Sequence, residues 1–395
     1  MYSLPLAKPD ITDLERAYVQ EVLTSNRLAM GPWLDRFEAR IAQYCQTRHA
    51  LGVSSGTAAL HLIIAGLSLG EGDEVITTPF SFVASANVLL YQNVAPRFID
   101  ISPETYNLDP EGLEEALTPS TRAILAVDIF GLPAAWPILT EAARARDLLL
   151  IDDACHAMGT HVEDRPIGSW ADAAAFGFYP NKQITTGEGG CLTTNADELA
   201  AVCRSLRNQG RAQDNRMEHT RLGYNYRMSE MQAALGCAQL ERLPELLDRR
   251  ARVAGWYNAA LAPLQQDLTL PFEPANATRS WFVYVVRLSD DYAPEARDTL
   301  MGHLQAQGIA CAPYFPSIHL QPYYRRRFGF KPGDFPVCEA VSARTLALPF
   351  YTTLAEDEVA YVARAVQEAL PSLPRLVASH TLHSSKNSLP VVPKN

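Results

Sequence analysis

The stretch GFYPNKQITTGEGG, residues 177–190, places a single lysine, Lys182, between two apolar segments. ADAAAFGF (residues 171–178) precedes the lysine, and GGCLTTN (residues 189–195) follows the glycine-rich turn. Both segments have the composition of buried strands. A lysine is rarely buried unless it is paired or reacts. The stretch therefore predicts a functional lysine beside the end of a strand.

Around this stretch the chain alternates short apolar runs with helical patterns, from about residue 51 to residue 195. The earlier runs are ALGVS (50–54), DEVITTP (73–79), APRFIDI (95–101), RAILAVDIF (122–130) and LLLIDDA (148–154). Such alternation is typical of stacked βα units and a mainly parallel sheet. Past about residue 271 a second α+β unit follows. We therefore predict an α/β protein with a large domain (residues 1–250), a smaller C-terminal α+β domain (251–372) and a disordered tail (373–395).

Two capping-box patterns predict where helices begin. Ser229 is followed three residues later by Gln232, and Thr353 is followed three residues later by Glu356. In such a box the first side chain accepts from the backbone of the third helical residue, whose own side chain reaches back. We expect one helix to begin after each hydroxyl residue.

Composition excludes several classes of protein. The 395 residues are 47% hydrophobic and 20% charged, with a formal net charge of −10, which argues against a nucleic-acid-binding protein. The seven cysteines form no CxxC pair, so we expect reduced thiols in a cytoplasmic protein. We find no apolar segment of membrane-spanning length and no signal-peptide h-region. We expect neither a membrane association nor a metal site.

A glycine turn offers a candidate anion site. In VSSGTAAL (53–60) a strand ends, the chain turns at Gly56, and a helix opens with Thr57. Free backbone N–H groups and the positive helix end favour a phosphate there, although most turns of this type bind nothing. The Walker spacing is absent.

A pair of carboxylates ends a strongly apolar strand in LLLIDDA. Asp152 and Asp153 stand at the carboxyl edge of the predicted sheet, where ligands of α/β proteins bind. Taken alone, the pair is equally consistent with a helix N-cap or a magnesium ligand.

The lysine, the carboxylates and the glycine turn together suggest one cofactor, pyridoxal phosphate. A lysine amine forms an imine with its aldehyde, a carboxylate keeps its pyridine nitrogen protonated, and a glycine turn holds its phosphate. The combination favours a reactive role for Lys182 over a surface lysine or a structural ion pair.

The chain also resembles a known family. Six segments carry the resemblance: SSGTAAL (54–60), PFSFVASAN (79–87), IDDACHA (151–157), FGFYPNKQITTGEGG (176–190), GYNYRMSEMQAALG (223–236) and PYFPSIHLQPYY (313–324). In this order they resemble the DegT-type nucleotide-sugar aminotransferases, which are fold-type I pyridoxal-phosphate enzymes. The resemblance covers about residues 5 to 370. It implies a seven-stranded, mainly parallel sheet flanked by helices.

The resemblance implies a cofactor site. Lys182 matches the Schiff-base lysine, Asp153 the partner of the pyridine nitrogen, and His156 a residue that contacts the phenolic oxygen. Phe82 matches an aromatic residue that stacks on the ring, although core packing is the more common fate of such a residue. The remaining implied cofactor residues are Gly56 and Thr57 at the phosphate and Gly177.

At Gly177 the chain departs from the family, which often has serine or threonine there, with a hydroxyl on the phosphate. The lost hydrogen bond would contribute about 1.5–3 kcal/mol. Asp152 matches an acidic position without an assigned role.

Three further residues are implied outside the cofactor contacts. Asn225 resembles a residue that crosses into the neighbouring subunit's site to hold the phosphate, which implies a homodimer. His319 resembles a residue near the sugar pocket, and a structural loop histidine is nearly as consistent with the pattern. Arg227 contacts substrate or braces the helix after Ser229, and the sequence does not separate these two roles.

The resemblance implies a ping-pong aminotransferase. An amino acid, glutamate by resemblance, donates the amino group, and a keto-sugar on a nucleoside diphosphate receives it in amino-sugar or polysaccharide biosynthesis. The arginines of DRRAR (248–252) and YYRRRF (323–328) are candidates for the diphosphate. The alternatives are an aminocyclitol (keto-inositol) aminotransferase and a non-catalytic regulatory protein on the same fold. Lys182 argues against a dehydratase of the family, in which histidine replaces the lysine.

Overall fold

A computed structural model describes residues 3–212, 214, 215 and 217–376. Its strands are β1 His49–Val53, β2 Glu74–Thr77, β3 Ala95–Phe98, β4 Thr121–Val127, β5 Leu149–Asp153, β6 His161–Val162, β7 Arg165–Pro166, β8 Ala173–Gly177, β9 Gly190–Thr194, β10 Leu268–Thr269, β11 Ala277–Thr278, β12 Tyr284–Leu288 and β13 Thr345–Leu348. Seven of them form one sheet in the order β1-β9-β8-β5-β4-β2-β3. Strands β3, β2, β4, β5 and β8 pair in parallel, and β9 is antiparallel to both of its neighbours. The predicted α/β class with a mainly parallel seven-stranded sheet is confirmed.

Helices cover the sheet and build the C-terminal part of the chain. The α-helices are α1 Asp13–Ser25, α2 Pro32–Tyr44, α3 Gly56–Gly66, α4 Ala84–Tyr91, α5 Leu113–Ala116, α6 Trp136–Ala145, α7 Asp197–Leu206, α8 Glu230–Glu241, α9 Leu243–Leu261, α10 Ala296–Ala306, α11 Pro322–Phe328, α12 Pro336–Arg344 and α13 Glu356–Ala369.

The central strands are apolar throughout because both faces of the sheet are buried. In β8, Ala173 and Ala175 pack into one hydrophobic cluster, and Ala174 and Phe176 pack into another on the opposite face. Successive side chains of a strand alternate between faces, so each strand serves both layers. Because the five parallel strands run in the same direction, the polar residues at their carboxyl ends lie at one edge of the sheet.

A second core surrounds the sheet β10-β12-β13, which is antiparallel. Residues of α9, α10 and α13 pack on it, together with Leu4 from the N-terminal segment. Leu4 also forms an isolated parallel bridge with Ile309, so this segment contacts the C-terminal unit as well. The division at residues 250 and 372 stays a prediction.

The structure describes the first four residues, 373–376, of the segment predicted to be a disordered tail. Leu373 is buried in the C-terminal core, and the Leu376 N–H donates to the Asp291 carbonyl oxygen at 2.8 Å. Residues 377–395 of the predicted tail lie outside the described residues.

One capping box is confirmed and the other is wrong. Ser229 Oγ accepts from the Gln232 N–H at 3.3 Å, and Gln232 Oε1 accepts from the Ser229 N–H at 2.8 Å, so α8 begins as predicted. Helix α13 begins instead at Glu356, after Ala355. Glu358 accepts from the Ala355 N–H at 2.8 Å, because the turn before the helix ends two residues later than the Thr353 pattern predicts.

Within the described ranges, we find no helix that combines the length and the apolar character needed to cross a bilayer.

Candidate active site

A cavity of about 600 Å³ opens at the edge of the sheet where β5 and β8 end. Seven of the residues predicted from the sequence line it: Gly56, Thr57, Phe82, Asp153, His156, Gly177 and Lys182. The first and the last of them, Gly56 and Lys182, are 126 residues apart in the chain. The structure therefore brings the predicted amine, carboxylate and glycine turn to one place.

Lys182 follows β8 in a turn that its own backbone closes. Its N–H donates to the Tyr179 carbonyl oxygen at 2.9 Å, and its carbonyl oxygen accepts from Arg250 Nη2 at 2.7 Å. The amine Nζ lies 4.0 Å from the ring centroid of Phe282. Burial lowers the pKa of Lys182 to about 8, against smaller opposing effects of Cys155 and Asp153. About a tenth of the amine is therefore neutral at pH 7, and this fraction can act as a nucleophile or base.

Asp153 is the last residue of β5 and is 4% exposed. Its Oδ2 accepts from Ser85 Oγ at 2.6 Å, and its Oδ1 accepts from the Cys155 N–H at 3.2 Å. Two donors on two different elements fix the orientation of the carboxylate at the cavity wall. A fixed, buried carboxylate suits a partner that carries one proton and a positive charge.

His156 lies in a stack of aromatic rings at the cavity. Its ring centroid is 4.4 Å from that of Phe282, with an interplanar angle of 17°, and 5.9 Å from that of Phe315. Burial, and secondarily the charge of Lys182, holds the pKa of His156 well below its usual value. The imidazole is therefore neutral, and its Nδ1 has no hydrogen-bond partner among the described residues. Such a buried polar atom fits a ligand group inside the cavity.

The glycine turn before α3 admits only small residues. A Cβ on Gly56 would stand 2.7 Å from Cys155 Sγ and 3.1 Å from the Gly177 Cα, and one on Gly190 would stand 2.4 Å from the Ser55 carbonyl. Ser55 caps the helix by accepting from the Ala58 N–H at 3.1 Å. The N–H groups of the first turn point away from the helix and carry its positive end, which is the geometry of an anion site.

Phe82 is 57% exposed although it is a large apolar side chain. Its ring lies beside Phe315, with centroids 6.5 Å apart, at the wall of the cavity. Core packing, the alternative role for Phe82, is therefore not what the structure shows. The exposed face is available for stacking against a planar ring.

Three predicted residues do not line this cavity. His319 is fully buried, its Nε2 lies 3.0 Å from Glu339 Oε1, and its ring packs 4.8 Å from that of Phe335. These contacts favour the role of a structural loop histidine over that of a residue near the sugar pocket. Arg227 Nη1 donates to Asn208 Oδ1 at 2.9 Å. Asn225 is exposed and does not line the cavity of its own chain.

The arginine runs are also separated by the fold. Arg250 is buried and donates to the carbonyl oxygens of Lys182 and Phe282, so it is not a diphosphate ligand as the sequence suggested. Arg249 pairs with Asp10 and Glu245. Arg326 lines a groove of about 710 Å³ that shares Phe82 with the cavity.

Sequence reasoning missed several residues of the site. Ser85 lies in α4, three residues after Phe82, which precedes the helix, so helical spacing alone did not mark it. Phe282 and Tyr314 come from the C-terminal part of the chain, 100 residues or more beyond Lys182, and no local pattern marks them.

Comparisons with known proteins identify the family of the chain. Residues 9–367 match the DegT/DnrJ/EryC1/StrS aminotransferase family. The chain belongs to this family. Among curated DegT-family proteins, the GDP-perosamine synthase of Caulobacter vibrioides is 38% identical over 368 residues, which are 93% of this chain and 98% of that protein.

Solved DegT-family structures share the fold. The DesV protein of S. venezuelae is 36% identical with a TM-score of 0.84, over 90% of this chain and 93% of that one. The Spr1654 protein of Streptococcus pneumoniae, solved in its PMP form, is 27% identical with a TM-score of 0.89, over 94% of this chain and 100% of that one. The α/β fold of this chain is therefore that of the pyridoxal-phosphate aminotransferases, and the chain is an aminotransferase by family.

Proposed function

We propose that the chain is a pyridoxal-phosphate-dependent aminotransferase that moves an amino group from an amino acid, glutamate, to a keto-sugar carried on a nucleoside diphosphate. The observation that carries the proposal is the convergence of Lys182, Asp153 and the Gly56–Thr57 turn on one cavity. Family membership supports the transamination, and the GDP-linked amino sugar in the name of the Caulobacter relative, GDP-perosamine synthase, supports the nucleotide sugar. The enzyme would act in amino-sugar or polysaccharide biosynthesis in the cytoplasm.

Residues of the cavity fit pyridoxal phosphate group by group. Asp153 would hold the proton of the pyridine nitrogen, and the unpartnered Nδ1 of His156 would face the phenolic oxygen. The exposed ring of Phe82 would stack on one face of the pyridine. The N–H groups of Gly56 and Thr57, with the Thr57 hydroxyl, would hold the phosphate, and Gly177 would leave room beside it.

When bound, pyridoxal phosphate supplies an aldehyde carbon and an electron-withdrawing ring that stabilises negative charge. Lys182 would supply the amine for this carbon, and its Nζ would accept the proton from the α-carbon of the amino acid. The lowered pKa keeps a neutral fraction of the amine available for that transfer. Asp153 would keep the ring nitrogen protonated, and the aromatic wall of His156, Phe282 and Phe315 would exclude water from one side.

The neighbouring subunit would complete the site. We propose a homodimer in which the exposed Asn225 reaches the phosphate of the partner subunit's cofactor. Its position on the surface, outside the cavity of its own chain, supports that role. Arg227, two residues further on, would orient this segment through its hydrogen bond to Asn208.

The test follows the two half-reactions separately. The protein is loaded with pyridoxal phosphate and mixed with glutamate, and its visible absorbance band is expected to disappear. Keto-sugar nucleotides and keto-inositol are then added one at a time, and only a keto-sugar nucleotide is expected to restore the band.

Two variants serve as the controls. Lys182→Ala is expected to abolish the first half-reaction, whereas Lys331→Ala, at an exposed lysine, leaves it unchanged. Restoration by keto-inositol alone would identify an aminocyclitol enzyme. A protein that takes up no pyridoxal phosphate would identify a non-catalytic member of the fold.

A further inference from the structure

Two more carboxyl groups lie behind Asp153, on the side away from the cavity. Asp152 precedes Asp153 in β5 and therefore points to the opposite face of the sheet. Asp128 follows the neighbouring strand β4, and its N–H donates to the Asp153 carbonyl oxygen at 3.3 Å. Both side chains are 0% exposed, and neither lines the cavity.

The hydrogen bonds of the two groups leave one oxygen of each carboxyl group without a donor. Asp128 Oδ1 accepts from the Ala134 N–H at 2.7 Å and from Trp136 Nε1 at 2.8 Å. Asp152 Oδ2 accepts from the Gly168 N–H at 3.3 Å. Asp128 Oδ2 and Asp152 Oδ1 have no other partner in the described part of the chain. The two carboxyl groups are within hydrogen-bond reach of each other.

Two buried carboxyl groups within hydrogen-bond reach of each other need a proton between them, because two carboxylates sharing a buried site cannot both be ionised. Asp128 receives two short hydrogen bonds from N–H donors, whereas Asp152 receives one long one, so the negative charge belongs on Asp128 and the proton on Asp152. Burial, and then the neighbouring carboxyl groups, raises the pKa of Asp152 well above its usual value. Burial raises the pKa of Asp128 to about 7.

The other titratable groups that face the pair are acids. They are the Asp153 carboxyl group and the thiols of Cys45 and Cys155. A charge on the pair is therefore felt at Asp153 through a few ångströms of buried protein, where screening by solvent is weak.

We propose that Asp128 and Asp152 share one proton and carry one negative charge behind Asp153, and that this charge strengthens the hold of Asp153 on the proton of the cofactor's pyridine nitrogen. The pair touches neither cofactor nor substrate, so both are positioning residues that act through Asp153. The effect of this charge on Asp153 and the cofactor rests on the proposed function, whereas the shared proton does not.

Asparagine variants separate the charge from the hydrogen bond. In Asp152→Asn the amide donates to Asp128, which keeps the charge. In Asp128→Asn the amide oxygen still accepts from Ala134 and Trp136 while its N–H₂ donates to Asp152, which takes over the charge. Only the double variant Asp128→Asn/Asp152→Asn has no charge. Asp172→Asn is the matched control, because Asp172 accepts from the Leu150 N–H at the opposite end of β5.

Infrared spectroscopy of the cofactor-free protein tests the shared proton. At pH 7.5 (about half a unit above the pKa of Asp128) the wild type and Asp172→Asn are expected to show the C=O stretch of a buried protonated carboxyl group. All three pair variants are expected to lose it. A wild-type spectrum without this band would overturn the proposal.

The link to Asp153 is tested with pyridoxal phosphate labelled with ¹⁵N in its ring, whose chemical shift reports the proton on that nitrogen. The pH at which the proton is lost is expected to be the same in the wild type and the single variants. It is expected to fall by about one pH unit in the double variant. An unchanged midpoint in the double variant, or an equal fall in every variant, would overturn the proposed effect of the charge on Asp153. A protein that binds no pyridoxal phosphate would overturn the proposed function together with the effect on Asp153. The shared proton would still be tested by the infrared spectrum.

Discussion

Arg250 Nη2 donates a hydrogen bond of 2.7 Å to the backbone carbonyl oxygen of Lys182. The same guanidinium donates to the carbonyl oxygen of Phe282 at 3.1 Å, and the Phe282 ring lies under the Lys182 amine. One buried arginine of α9 therefore fixes both the backbone of the lysine and the aromatic ring against which its amine lies. Arg250 is a positioning residue of the site.

Arg250→Met is expected to lower the free energy of unfolding by about 2 kcal/mol, because buried carbonyl oxygens lose their donor. It is also expected to slow the uptake of pyridoxal phosphate by the cofactor-free protein, since the Lys182 turn is no longer fixed. Denaturant unfolding and stopped-flow absorbance measure the two effects. Arg249→Met, on the same helix but half-exposed, is the control and should change neither uptake nor the visible band. Equal uptake rates in both variants would contradict the positioning role.

Lys182→Met is expected to stabilise the cofactor-free protein at pH 7. The folded-state pKa of Lys182 is lowered from 10.5 to about 8, so between these values the unfolded chain binds more protons, and stability rises with pH. At pH 7 the wild type has the whole cost of a buried charge, on the order of 3 kcal/mol at 1.36 kcal/mol per pKa unit. The variant removes that cost together with the rise in stability between pH 8 and 10.5. Unfolding free energies measured across this range check it, and a wild-type curve without the rise would contradict it.

Gly177→Ser is expected to bind pyridoxal phosphate about 10-fold more tightly than the wild type. A Cβ at residue 177 would meet Cys155 Sγ at 3.4 Å, which is ordinary contact, so the side chain fits. Its hydroxyl can then donate to the phosphate, a hydrogen bond to a charged group that contributes about 1.5–3 kcal/mol. Titration of the cofactor-free protein measures the affinity. Gly177→Ala adds the Cβ without the hydroxyl and should show no gain; serine and alanine variants of equal affinity would place the phosphate elsewhere.

His319→Ala and Phe82→Ala are expected to have opposite effects. His319 is fully buried against Phe335 and Glu339, so its loss should cost about 2–4 kcal/mol of stability and leave the KM for the keto substrate unchanged. Phe82 is exposed at the cavity, so its loss should weaken cofactor binding with little effect on stability. Steady-state kinetics and thermal unfolding of both variants provide the comparison. A raised KM in His319→Ala at unchanged stability would instead assign His319 to the binding of the keto substrate.

The fold and the centre of the site were predictable because their signals are local. Each central strand is an apolar run buried on both faces, and polar residues at the ends of parallel strands, such as Asp153, must meet at one edge of the sheet. Gly56 was predictable for the same reason, since a strand, a turn and a helix follow one another within a few residues. The Ser229 cap needed only a residue three positions away.

The remaining features depend on contacts that sequence separation conceals. Arg250 appeared in a charged run typical of a solvated face, and only the packing of α9 against Lys182 and Phe282 buries it. His319 and Glu339 meet across a loop and a helix. Thr353 had the correct spacing for a cap, but the turn that precedes α13 continues to Ala355. For Arg250 and His319 a tertiary contact decided between roles that the local pattern left equal, whereas for Thr353 the local turn decided.

Chemical reduction tests the central claim that Lys182 is the amine that bonds to pyridoxal phosphate in this cavity. The loaded protein is treated with borohydride, which makes the bond permanent, then digested, and the modified peptide is identified by mass spectrometry. We predict one pyridoxyl group, on the peptide that contains Lys182, and none on the peptides of Lys8 or Lys331. Modification at another lysine in place of Lys182, or at no lysine, would contradict the account.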